Sequence, residues 1–174
     1  MGLLKVRPGK NGSLIVGISR NEAIVLRALP RRLREVLNRP DFRNEVVRRL
    51  FPPAYREEER EDEYRRLLGE DLMERKSRGI DAFEASVSAA EFKKGLVEIT
   101  IPQETFDSWL AFVNDMRLLL GTELDVDEDF YKQPFESRSP KAGDEALYHY
   151  LSWLEEELIH AAGFEGLGRP PANP

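Results

Sequence analysis

The sequence predicts one mainly α-helical domain of about five helices with a small antiparallel β-sheet. Three observations lead to this fold class. Apolar residues recur at helical spacing in several separate segments, two short β-rich runs flank a turn near the N-terminus, and a further β-rich run occupies residues 96–101. The chain has 174 residues, 41% of them hydrophobic, which suits a single core.

The N-terminal elements are a hairpin and a helix. The β-rich runs 3–6 and 14–18 are separated by Pro-Gly-Lys-Asn-Gly, a strong turn sequence, so they predict a hairpin. Ser19 and Glu22 have the spacing of a capping box and predict the start of the first helix. Pro30 lies inside that helix and is expected to bend or interrupt it.

Four further elements follow along the chain. A second helix is predicted to begin at Pro40 and to place Phe42 on its apolar face, and a long helix is predicted over 61–90. Residues 96–101 predict a strand that joins the hairpin in a sheet, and Pro102 opens a helix that Gly121 should end.

The last helix is predicted over 144–162, which completes a domain spanning residues 1–162. Residues 163–174 are rich in glycine and proline and are expected to form a flexible tail.

Composition argues against several classes of function. The chain has no cysteine, which excludes disulfides, thiolate nucleophiles and cysteine-ligated zinc. His149 and His160 are the two histidines, and eleven residues of helix would hold them about 16 Å apart, too far to share a metal ion. We therefore predict no catalytic residues, no cofactor and no metal. No apolar run approaches the ~20 residues of a membrane span, so a cytoplasmic protein is expected.

The segment 122–143 lacks periodicity and is expected to be functional or disordered. Asp125, Asp127, Asp129 and Glu136 have the spacing of a calcium-binding loop, but Phe130 stands where that loop needs glycine. We interpret the spacing as a coincidence of acidic composition. Asp127, Asp129 and Phe130 are instead predicted to form part of a surface for a partner protein.

One edge of the last helix is the other part of the predicted partner surface. Helical projection places His149 beside Trp153, away from the leucine stripe, with Ala146 on the same edge. The simplest interpretation is that this edge of the helix is exposed to water. Because tryptophan is enriched at interfaces, we also predict a weak homodimer through this edge.

Charge is distributed unevenly along the chain. Residues 1–56 contain 13 Lys or Arg and 4 Asp or Glu, whereas residues 57–174 contain 13 and 28. Either the basic part packs against the acidic part of the same molecule, or it binds an acidic partner. The second interpretation predicts a nucleic-acid face formed by Arg27, Arg31, Arg32 and Arg34.

Several polar residues fall on predicted core faces. Arg117 lies in the apolar stripe of its helix, and Arg75 and Gly79 lie in that of the long helix. We predict that these two helices pack together at Gly79 and that at least one of the two arginines is buried and paired with a carboxylate, since an unpaired buried charge is very costly. Arg117 is the favoured arginine and Asp71 its favoured partner. The predicted polar cluster between the helices consists of Asp71, Arg75, Asn114, Asp115 and Arg117.

Four sequence segments resemble the blocks of one bacterial protein family, in the same order and with similar spacing. They are LFPPAYR at 50–56, DLMERK at 71–76, NDMRLLLGT at 114–122 and YLSWL at 150–154. The family is a domain-of-unknown-function family that includes the AosR-type oxidative-stress transcriptional regulators and is often encoded beside the ClpS protease adaptor. The resemblance implies a non-enzymatic regulator that acts in transcription.

AosR-type regulators are described as sensing oxidants through a cysteine pair, and this chain has no cysteine. That switch cannot operate here. The sequence therefore predicts a regulatory protein that acts by protein–protein interaction, with direct DNA binding through the arginine-rich helices as the alternative.

Overall fold

Five helices and four short strands form the part of the chain that the computed structural model describes, which is residues 4–128, 130 and 140–163. The strands are β1 (Lys5–Pro8), β2 (Leu14–Ile18), β3 (Glu91–Lys93) and β4 (Leu96–Ile101). The helices are α1 (Arg20–Asn38), α2 (Glu45–Leu50), α3 (Glu58–Ser88), α4 (Phe106–Glu123) and α5 (Ala142–Ala161), with a 3-10 turn at Gln103–Thr105. The predicted fold class, mainly α in a single domain, is confirmed. Most of the predicted tail lies outside the described residues.

The sheet is antiparallel, with strand order β1-β2-β4-β3, and one of its faces packs on the helices. Val16 lies opposite Ile99, and both are fully buried, whereas Arg7 and Glu98 pair on the other face at 2.8 Å. The predicted hairpin and the predicted strand at 96–101 are therefore confirmed. Strand β3 escaped prediction because its three residues are all exposed and carry no alternating pattern.

Helix α1 begins at the predicted capping box, in which Ser19 and Glu22 each accept a hydrogen bond from the other's backbone amide. It then runs through Pro30 to Asn38 without a break, so the predicted interruption is wrong. Pro30 is itself buried among the core leucines, and we attribute the intact helix to that packing, which offsets the one backbone hydrogen bond that proline removes.

Helix α2 begins later than predicted, at Glu45 rather than Pro40. The Asn44 side chain accepts a hydrogen bond from the Val46 amide at 2.8 Å and caps the helix there. Phe42 consequently lies in the turn before the helix and is 45% exposed. The predicted helix end at Gly121 is also wrong, because α4 continues to Glu123.

Helix α4 lies at the centre of the core and packs against α2, α3 and α5. Its side chains Trp109, Phe112 and Met116 are at most 1% exposed. Helix α3 is different, because its buried residues all lie between Gly79 and Val87. The N-terminal half of α3 therefore runs along the outside of the domain, and this position creates the candidate site described next.

Candidate functional site

Helices α3 and α4 pack together with Gly79 at the contact, as the sequence predicts. A Cβ atom at Gly79 would lie 3.0 Å from the Ser108 carbonyl oxygen and 3.5 Å from Phe112. The neighbour at 3.0 Å is backbone, which cannot move aside as a flexible side chain can. Glycine is therefore needed at this position for the two helices to approach so closely.

The charged pair between these helices is Lys76 and Asp115, not Arg117 and Asp71. The Lys76 Nζ atom donates to Asp115 Oδ1 at 2.7 Å, and the two side chains are 16% and 8% exposed. Burial raises the pKa of Asp115, while the neighbouring ammonium group opposes that shift. Lys76 Nζ also lies 5.3 Å from the centre of the Phe51 ring.

The predicted polar cluster is divided among three places. Asp71 and Arg75 pair with each other at 3.2 Å along the exposed side of α3, and Asn114 is also exposed. Only Asp115 lies between α3 and α4. Arg75 falls in the predicted apolar stripe but is exposed, because Lys76, about 40° from Leu72 in helical projection, takes the inward position.

Arg117 faces α5 instead of α3. Its Nε atom donates to Ser152 Oγ at 3.0 Å, and its guanidinium pairs with Glu155. Because α4 lies between two helices, residues 115 and 117, about 200° apart around it, reach opposite neighbours. The predicted Arg117–Asp71 pair is therefore wrong, and the Arg117 side chain retains 26% exposure.

These contacts bring together the segments that carry the family resemblance. Phe51, Lys76 and Asp115 connect segments 50–56, 71–76 and 114–122, and the bond from Arg117 to Ser152 adds segment 150–154. The four segments thus hold α2, α3, α4 and α5 to one another. Their polar contacts account for helix packing.

Two of the four arginines in the predicted nucleic-acid face form ion pairs with acidic residues of the same chain. Arg32 donates to Asp144 at 2.7 Å and also pairs with Glu123. Arg34 donates to Glu84 at 2.7 Å and to Asp81 at 2.9 Å. The basic N-terminal part therefore packs against acidic residues of the same chain at these two positions.

The other two arginines are exposed on α1. Arg31 pairs along its own helix, with Glu35 at 2.9 Å, and its side chain is 86% exposed. Arg27 is exposed as well. DNA binding remains a prediction, but the cations available for it are fewer than the sequence indicates.

The predicted partner surface on α5 is partly covered by Phe130. The Phe130 ring stacks on His149 with centroids 5.6 Å apart, and Asp127 Oδ1 accepts a hydrogen bond from the Phe130 amide at 3.0 Å. Trp153 is half-buried, with its ring 6.3 Å from that of Tyr150. Asp129 lies outside the described residues, as does Glu136 of the calcium-like spacing. The predicted homodimer through this edge remains a prediction.

An apolar groove lies beside the N-terminal half of α3, and we call it the α3 groove. It has a volume of about 460 Å³. One apolar wall comes from α3, which includes Gly69, and the other comes from the chain around α2. The lining includes Pro40, Phe42, Phe51, Pro52, Tyr64, Gly69, Leu72 and Met73. No pattern in the sequence marks it as a site.

Hydrogen bonds hold one wall of the α3 groove in place. Glu61 accepts hydrogen bonds from the backbone amides of Ala54 and Tyr55 at 2.9 and 3.0 Å, and these bonds lower the pKa of Glu61, the one from Tyr55 most strongly. Arg65 donates to Glu61 at 2.6 Å and lies over the Phe42 ring at 4.3 Å. These contacts therefore fix the position of the apolar wall.

Gly69 is a second unusual feature of the α3 groove. A glycine inside a helix costs about 1 kcal/mol relative to alanine. At Gly79 the packing requires this, but a Cβ atom at Gly69 would meet no other described part of the chain within 4 Å. Nothing within the described residues explains the glycine at this position.

The described part of the chain contains no group of three or more His, Asp or Glu placed to hold a metal ion, and none of its helices has the length and apolarity to cross a membrane. The fold and the groove thus define a helical domain with a candidate docking surface.

Residues 5–162 match the family described as a domain of unknown function, DUF2017, and the chain belongs to that family. Neither the curated proteins nor the solved structures contain a match.

Proposed function

We propose that this protein is a non-enzymatic, cytoplasmic regulatory protein that acts by binding another protein in the α3 groove. The proposal rests on an apolar surface that remains accessible beside the exposed half of α3. Phe42 in this surface is 45% exposed, and Leu72 and Met73 are only partly buried. Open apolar surface around a groove is typical of sites where a soluble protein contacts a partner.

The resemblance to AosR-type regulators supports transcription as the process in which the protein acts. That part of the proposal concerns the partner, which would belong to the transcription machinery. Arg32 and Arg34 are engaged within the chain, so contact with a protein is favoured over direct contact with DNA.

Affinity capture with the protein at native abundance tests the proposal. We expect Phe42→Asp to abolish recovery of the partner, because it places a charge in the groove wall. Val25→Asp is the matched control, since Val25 is also 45% exposed but lies on α1, outside the α3 groove. Recovery that is equal for wild type and Phe42→Asp would contradict the proposal, and so would the absence of any partner above background.

A further inference from the structure

The N-terminal half of α3, which forms one wall of the α3 groove, carries an excess of negative charge. Residues 57–74 contain nine Asp or Glu and three Arg, and Arg65 is already paired with Glu61. Glu58, Asp62 and Glu70 are exposed along this part of α3. Complementary potentials favour a partner with basic residues where it flanks this half of α3.

Gly69 indicates how closely the partner approaches. It lies in the α3 groove four residues from both Arg65 and Met73, so these three positions follow one side of the helix. Because no side chain projects there and, apart from the helix's own backbone, no described residue lies within 4 Å of the Cβ position, another backbone can pack directly against α3. Local rules of helix stability are most often broken where function requires it.

We infer that the α3 groove receives a helix of the partner protein, apolar on one face, basic at its flanks, with a small residue opposite Gly69. The inference rests on the proposed function and specifies the partner's chemistry. A helix fits better than a strand, because the walls run along α3 and offer side chains, whereas an added strand needs the open edge of a sheet.

Three synthetic helical peptides of 18 residues test the inference with the full chain. The first has leucines on one face, a central alanine and lysine flanks; the second replaces lysine with glutamate; the third scrambles the first. In fluorescence anisotropy we expect the lysine peptide to bind at least tenfold more tightly than the other two. Gly69→Leu should weaken that binding at least thirtyfold, because its side chain occupies the crossing point.

Gly69→Ala separates docking from folding. It should raise the melting temperature of the free protein by about 2–4 °C, since alanine favours the helix, and weaken peptide binding about three- to tenfold. Gly143→Ala is the matched control, because a Cβ atom at Gly143 in α5 also meets nothing within 4 Å. It should leave peptide affinity unchanged.

Other outcomes would overturn the inference. Equal binding of the lysine, glutamate and scrambled peptides would refute the basic helix, and unchanged binding by Gly69→Leu would place the peptide elsewhere. A dimer in light scattering that Gly69→Leu disrupts would make a second copy of this chain the occupant. A native partner lost with Phe42→Asp but retained with Gly69→Leu would refute the inference while leaving the proposed function intact.

Discussion

Replacing Lys76 with methionine should lower the free energy of unfolding by about 3–5 kcal/mol at neutral pH, because it leaves a buried carboxylate without its partner. Asp115 is 8% exposed and receives its hydrogen bond from Lys76 at 2.7 Å. Urea denaturation followed by circular dichroism measures the change. Arg75→Met is the matched control on the neighbouring residue, whose side chain is 67% exposed in a surface pair, and we expect at most about 1 kcal/mol there.

The loss in Lys76→Met should depend on pH in a defined direction. Burial raises the pKa of Asp115, and removing Lys76 also removes the main influence that lowers this pKa. A carboxyl group with a raised folded-state pKa binds a proton more readily in the folded chain, so its contribution to stability falls as pH rises through the window from the ordinary pKa, about 3.9, to the raised one. The deficit relative to wild type should therefore be largest at neutral pH and shrink in acid.

A second substitution at Asp115 provides the decisive control. Asp115→Leu combined with Lys76→Met removes both charges, and we expect it to recover most of the lost stability, as apolar replacements of buried pairs often do. A Lys76→Met variant that unfolds like wild type, or a deficit independent of pH, would contradict the buried pair.

Replacing Trp109 with alanine is expected to cost about 3–5 kcal/mol, the usual loss when a large core side chain is removed. Trp109 is fully buried, and its ring lies 4.6 Å from that of Phe83. Its Nε1 atom has no hydrogen-bond partner among the described residues. Trp109→Phe should therefore cost much less than Trp109→Ala, because it keeps an aromatic ring and removes a buried polar group that is unsatisfied.

Chemical denaturation of both Trp109 variants measures the difference directly. Equal losses for Trp109→Phe and Trp109→Ala would show that the indole N–H has a partner that stabilises the folded chain. A loss below about 1 kcal/mol for Trp109→Ala would contradict the position of Trp109 in the core.

Local patterns in the sequence were sufficient to predict most of the elements. The capping box at Ser19 and the helix stripes depend on residues a few positions apart, so they can be recognised without tertiary information. The start of α2 was not predicted because the Asn44 cap competes with Pro40, and both are plausible first-turn signals.

The candidate site could not be predicted in the same way, because periodicity shows which face of a helix is apolar but not what covers it. Leu68 and Phe83 belong to one stripe of α3, yet Leu68 is 43% exposed and Phe83 is fully buried. The α3 groove exists because the core ends near Gly79 while the helix continues. The partner of Asp115 could not be predicted either, because periodicity does not show whether α3 or α5 lies on the side of α4 that carries Asp115.

Hydrogen exchange of the full chain, alone and with the lysine-flanked peptide, tests the docking claim most directly. Amides of residues 79–88 should be protected in both states, because that half of α3 is packed in the core. The peptide should slow exchange mainly in residues 40–52 and 61–73, which contain the groove walls. Slowed exchange confined to α1 or α5, or no change at saturating peptide, would contradict docking in the α3 groove.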